Sequence, residues 1–369
     1  MTEPQKFLLT LVRMALWRHQ EPLPEQKPDW NAVYTQAKRQ TLVGLVAEAI
    51  PMLPVHLHPD AGMKIKFLSY AIQIVQSHSV INQKLADVKK RLDEHKVHSV
   101  LLKGQGVASY YPNPQSRQCG DIDIYVGNDN FAKAIEILNP GADVDVSKYR
   151  NEKHYNFHAG GVDIEIHRIA ELLPSLKGDK LFQKWTVVHL CGPHTKTLQI
   201  ESVLVNVPPP QFNAIYIMNH VWHHFMISGI GLRHLCDWCA FLHKHHQDID
   251  PIVLKRDLEN FGLTRAWQIL ASVVVRYLAL PAEECPLYSG KYDNKALGVL
   301  NVIWREGNFG HHSENSKGKR PQNYFASKFY SFRIVTVRLF QIFTISSRDV
   351  LNSWFFLFIR GMHNLFVRI

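Results

Sequence analysis

The sequence predicts an α+β protein: a small mixed sheet with its own helices, set between helical regions on both sides. Three observations lead there. Short runs of alternating apolar residues are confined to one stretch, from Val97 to about Val207. Helical periodicity dominates before and after it. The apolar share of 46% and charged share of 20% are those of an ordinary globular chain, and 369 residues suffice for two or three cores.

Taken in order, "WNAVYTQAKRQTLVGLVAEAI" places Trp30, Val33, Ala37, Leu42, Leu45 and Ala49 near the helical period, which predicts one helix stopped by Pro51 and Pro54. "NQKLADVKKRLDEHK" (Asn82 to Lys96) predicts a second, with Leu85, Val88 and Leu92 on its apolar face. "VHSVLLKG" then reads as a short strand ending at Gly104, and "QGVASYY" as a helix or turn. "DIDIYV" is a strand and "NFAKAIEIL" a helix; "HYNFH" and "VDIEIHR" form a hairpin about Gly160 and Gly161. Pro208, Pro209 and Pro210 punctuate the end. Three helices are expected beyond them, then the polar linker "ENSKGKRPQN" and an aromatic-rich tail. The expected divisions are 1–96 helical, 97–207 sheet-bearing core, 208–310 helical, and 311–369 a basic helical tail.

Composition narrows the function classes. No apolar run reaches the ~18 residues of a spanning helix. The first residues do not read as a signal peptide, because Glu3 precedes the apolar stretch and Arg13 interrupts it. Five irregularly spaced cysteines suggest no disulfide framework, so a reducing cytoplasm is expected. The net charge of +10 is uneven: from Ser316 onward nine basic residues face only Asp349. The body is therefore nearly neutral, and nucleic acid is not the expected partner. The basic, aromatic tail suits an anionic membrane surface or a grip on nucleic acid, or its rings pack on the core while the charges stay wet.

The stretch "SRQCGDIDIYV" carries the chemistry. Side chains alternate along a strand, so Asp121 and Asp123 project together while Ile122 and Ile124 turn inward. In "VDIEIHR", Asp163, Glu165 and His167 likewise share one face. Adjacent strands of this kind gather carboxylates that repel one another unless a cation sits among them. Mg²⁺, with its preference for carboxylates and substrate phosphates, is the expected ion. Lys103 and Arg117 are cations able to neutralise phosphate, and Gly104 permits close approach to the backbone.

Those residues carry a resemblance. "LLKGQGVASYYPNPQSRQCGDIDIYV" followed by "GGVDIEIHR" resembles the nucleotidyltransferase superfamily related to DNA polymerase β, and within it a bacterial family of uncharacterised nucleotidyltransferases. The stretch departs from the polymerase-like pattern, since Gly104 is followed by Gln105 rather than Gly or Ser. The resemblance implies that Asp121, Asp123 and Glu165 are the catalytic carboxylates and hold Mg²⁺, two ions being expected and Mn²⁺ an acceptable substitute. It implies that Lys103, Gly104, Gln105 and Arg117 face the triphosphate, with Arg117 pairing with phosphate or bracing Asp121. His167 would orient Glu165 or touch the acceptor. Asp163 competes with Glu165 for the third position, and the acid-x-His pattern favours Glu165. The implied reaction is transfer of a nucleotidyl group from a nucleoside triphosphate to a hydroxyl of a small molecule, sugar or protein; the alternative is a non-catalytic nucleotide-binding or assembly protein that keeps the fold.

Other motifs are discounted. His220, His223 and His224 lack a suitably spaced acid and read as core or acceptor-pocket residues rather than a metal grip. Cys236 and Cys239 have a metal-like spacing but no second pair, and read as buried thiols.

Overall fold

The computed structural model of the chain describes residues 1–142, 153–308 and 321–366. Most of the expected polar linker, with Lys317, Lys319 and Arg320, lies outside the described residues, as does Arg368. The first helices are α1 (Glu3–Trp17), α2 (Trp30–Arg39), α3 (Val43–Ala49) and α4 (Ala61–Glu94). Short acids start two of them by accepting from first-turn amides that have no partner within the helix. Asp29 accepts from Asn31 and Ala32 at 3.0 and 3.1 Å to open α2, and Asp60 accepts from Met63 at 2.8 Å to open α4. The single helix expected from Trp30 to Ile50 is in fact two. Buried Gln40 donates to the Ile303 carbonyl at 3.0 Å and accepts from the Leu232 amide at 2.8 Å. Thr41 turns left-handed beside it, at φ 60°. A buried polar side chain with distant partners has overridden the local period. The helix expected over Asn82 to Lys96 is the second half of α4, which at 34 residues runs on without a break.

The sheet follows: β1 (Val100–Leu101), α5 (Gln105–Ala108), β2 (Asp121–Tyr125), α6 (Gly127–Leu138), β3 (His154–Ala159) and β4 (Val162–His167). Its order is β1-β2-β4-β3, mixed, with β2 and β4 parallel and the other pairs antiparallel. The period of two turns Ile122, Ile124, Ile164 and Ile166 onto Leu85, Val88 and Leu92 of α4 and Phe131 and Ile135 of α6. Gly160 and Gly161 both have positive φ, as the tight β3–β4 turn demands. Within the stretch expected to bear the sheet, two further pieces went unread: α7 (Leu176–Leu190), and a hairpin of β5 (Lys196–Ile200) and β6 (Val203–Val207).

The rest is helical: α8 (Pro210–Ile227), α9 (Leu232–His245), α10 (Pro251–Phe261), α11 (Thr264–Leu278), α12 (Asp293–Glu306), α13 (Tyr324–Gln341) and α14 (Ser347–Phe366). Proline at the first position of α8 gives up no helical hydrogen bond. Helices from both sides of the sheet share one core: Leu8, Leu11 and Val33 belong to the same buried cluster as Trp238, Trp267 and Leu300. Trp238 and Trp267 meet edge to face, 4.9 Å between centroids. Among the described residues, no helix is long and apolar enough to cross a membrane.

Candidate active site

Parallel pairing of β2 with β4 sets Asp121 opposite Asp163, Asp123 opposite Glu165 and Tyr125 opposite His167. Over this face, between the sheet and α8–α9, lies a cavity of about 210 Å³. Asp121, Asp123, Glu165, Lys103 and Gly104 line one wall, and His220, His224, Arg233 and His234 line the other. Asp123 is almost fully buried. Its Oδ1 accepts from Lys103 Nζ at 3.0 Å and lies 2.9 Å from His167 Nε2. The same His167 nitrogen is 3.2 Å from Glu165 Oε2, and His154 Nδ1 is 3.7 Å from that oxygen.

The electrostatics follow from this crowding. The charge of Asp123, and then burial, push the Asp121 carboxyl up to about 6. Burial would raise Asp123 too, but Lys103 and the hydrogen bond from His167 hold it well below the usual carboxylate range. Glu165 is treated the same way: burial opposes its charge and His167 restores it, leaving its pKa lowered. Three carboxylates at one cavity, one already driven toward its neutral form by another, fit a hard divalent cation, which would remove the repulsion. His154, Glu165 and His167 also bring ligand atoms within 4.8 Å of one another, a set that shares Glu165 with the carboxylates and has buried His167 behind it.

The structure brings Lys103, Gly104, Arg117, Asp121, Asp123 and Glu165 to one cavity and separates two others. Gln105 does not face it: its amide donates to Asn82 on α4, and the residue is buried. Helix α5 begins at Gln105 itself and turns this first side chain toward its packing partner. Arg117 lines the cavity but is not paired with Asp121; its Nε and Nη2 donate to the two oxygens of Asp237 at 2.7 and 2.9 Å. His167 has no exposed surface, so it cannot touch an acceptor; its Nε2 faces the two carboxylates and its Nδ1 lies 3.4 Å from the Ile169 carbonyl. Asp163 is exposed and paired with His158 at 2.8 Å. Gly104 has φ +56°, and an added Cβ would lie 3.1 Å from the Asp121 carbonyl oxygen. What the glycine admits here is the β2 backbone.

Sequence reasoning missed Asp237, Arg233, Lys153 and Glu171. Asp237 also accepts from Tyr111 Oη at 2.6 Å and Arg233 Nη1 at 3.1 Å. Its signal was a carboxylate inside the apolar face of "CDWC", beside two thiols that are indeed buried. Glu171 is buried, 3.2 Å from Lys153 Nζ and 3.3 Å from His220 Nδ1. That acid answers the histidine cluster of α8, although it lies 49 residues before His220.

Burial pushes His220 and His234 well below their ordinary value, and His224 down to about 3. The fold therefore keeps these rings neutral where the unfolded chain binds protons, and stability is lost as pH falls below about 6.5, by about 1.4 kcal/mol per pH unit for each ring. His224→Gln removes one of them. Its urea midpoint is expected to fall less steeply than that of the parent between pH 6.5 and 5; parallel slopes would contradict the assignment.

Comparison with curated proteins and with solved structures finds no match. A family model does match. It is that of an uncharacterised nucleotidyltransferase family, and it covers residues 26–279, which hold the whole sheet, α8, α9 and every cavity-lining residue named above. The chain belongs to this family, within the nucleotidyltransferase superfamily related to DNA polymerase β.

Proposed function

We propose that the protein transfers a nucleotidyl group from a nucleoside triphosphate to a hydroxyl of a small molecule, sugar or protein, with release of pyrophosphate. The observation that supports this most is the register of β2 on β4, which aligns Asp123 with Glu165 beside Asp121 at the floor of the cavity. Asp121, Asp123 and Glu165 would hold Mg²⁺, which, when bound, supplies charge stabilisation to the attacking and leaving oxygens of an in-line displacement. The chain's own residues do the rest. Glu165 Oε2, kept ionised by its hydrogen bond with His167, accepts the acceptor's proton. The acceptor oxygen bonds to the α-phosphorus as the bond to the bridging oxygen breaks, and pyrophosphate leaves with the electron pair.

Positive charge on the opposite wall suits the triphosphate. Arg117 and Arg233 share the single carboxylate of Asp237, so this group carries one positive charge more than it neutralises, and among the described residues Arg233 Nε has no hydrogen-bond partner. Lys103, held by Asp123 at 3.0 Å, is placed to turn toward a phosphate once a cation neutralises that acid.

The test is to incubate the full chain with labelled nucleoside triphosphates, Mg²⁺ and a lysate as acceptor source, and to follow pyrophosphate. Release by the parent, and loss of both release and Mg²⁺-dependent nucleotide binding in an Asp121→Asn, Asp123→Asn double variant that stays folded, is the expected result. Undiminished nucleotide binding by the double variant in Mg²⁺ would defeat the metal assignment. Nucleotide binding by the parent with no transfer to any component of the lysate would favour a binding protein.

A further inference from the structure

The last two described helices lie beyond residue 279, where the family match ends, and the proposed chemistry makes no use of them. Each has one buried face. In α13 it holds Arg338, which donates to Glu306 and to the Phe225 carbonyl, and Leu339. In α14 it holds Val350 and Ser353 with half-buried Leu357 beside them, Ser353 and Leu357 facing Trp222 and Met226 across a small cavity. Both helices are thus laid on the same part of α8. The rings of Phe332 and Trp354 close the seam between them, 6.1 Å apart.

The outer faces are apolar. On α13, Phe329, Val337 and Phe340 fall on one side at helical spacing, with Arg333 among them; on α14, Leu351, Phe355 and Ile359 do the same, beginning from Arg348. Phe329, Phe340 and Phe355 are 71%, 63% and 59% exposed. Because both helices bury the opposite side against α8, these two stripes look outward together. The one acid of the tail, Asp349, is taken up by Ser346 Oγ at 2.5 Å.

We infer that the α13–α14 face seats the protein on the surface of an anionic lipid bilayer. Aromatic and aliphatic side chains at this spacing enter the boundary between headgroups and acyl chains, and arginines at the same level pair with headgroup phosphates. Charge decides against a second copy of the chain. A two-fold pairing of this face would set arginine against arginine, with no acid among the described residues of either stripe. No described helix spans a bilayer, so the attachment is peripheral.

Sedimentation of the full chain with vesicles tests this, using phosphatidylcholine alone and a 3:1 mixture of phosphatidylcholine with phosphatidylglycerol. The chain is expected to sediment with the mixed vesicles at 0.1 M salt and to be released at 0.5 M. Phe340→Ser with Phe355→Ser, and separately Arg333→Glu with Arg348→Glu, should each weaken binding by about twentyfold or more while leaving the thermal midpoint unchanged, since all four side chains are exposed. Failure of the parent to bind mixed vesicles, or equal binding by the phenylalanine variant, overturns the inference. So does a concentration-dependent dimer that the phenylalanine variant abolishes without any vesicle binding. Nucleotidyl transfer is a separate measurement, and neither result depends on the other.

Discussion

Glu165→Gln is expected to lower the proposed nucleotidyl transfer by about a hundredfold or more, and Asp163→Asn to leave it nearly unchanged. The two acids share a face of β4, and the acid-x-His pattern favours Glu165 without excluding Asp163. Their surroundings differ. Glu165 is partly buried, borders the cavity beside Asp123, and takes its charge from buried His167 at 3.2 Å. Asp163 is opposite Asp121 in register, yet it stands in solvent with His158 for company. An exposed pair of that kind contributes little to stability. A second readout separates ligand loss from loss of a base: Mn²⁺ binding, followed by its EPR signal, should weaken in Glu165→Gln and not in Asp163→Asn. His167 keeps its bond to Asp123 in the glutamine variant, so the strand stays in place. The reverse ranking, with Asp163→Asn the damaging change, would transfer the third carboxylate to Asp163.

What the sequence made legible is local. The period of two located β2 and β4 and told which side of each carries the acids, because strand geometry forces that alternation wherever one face is buried. The paired glycines named their turn for the same kind of reason. Registers and partners were not legible, since they depend on residues far apart in the chain. Nothing near Gln40 announces that Ile303 and Leu232 will claim its amide and break a helix. Gln105 follows a Lys-Gly pair that invites a phosphate, but the orientation of α5 on α4 hands it to Asn82. β5 and β6, partly exposed and carrying Lys196, Thr197, Gln199 and Asn206 among their apolar residues, give a weaker alternation than the central strands. The family resemblance rested on the stretch where local pattern and chemistry coincide, and that is the stretch the fold places at the cavity.

Asp237→Ala is the substitution with the largest expected cost to the fold, about 3–5 kcal/mol. It strips the carboxylate from Arg117, which is 5% exposed, and from the Tyr111 hydroxyl, leaving the guanidinium only its bond to Cys119 Sγ at 2.9 Å and the phenol without this acceptor. The penalty is that of an orphaned charge rather than the worth of the ion pair. A charge-free replacement of both partners, Arg117→Met with Asp237→Leu, should therefore recover most of the stability lost by Asp237→Ala, as read from urea unfolding midpoints. The same double change should not restore transfer, because Arg117 precedes β2 by only four residues and the pair ties that approach to α9. Arg233 would also lose the acid that holds it at the cavity wall. If Asp237→Ala cost under about 1 kcal/mol, the size of an exposed pair, Arg117 would be free enough to serve a phosphate directly, and its role as a brace between the approach to β2 and α9 would fail.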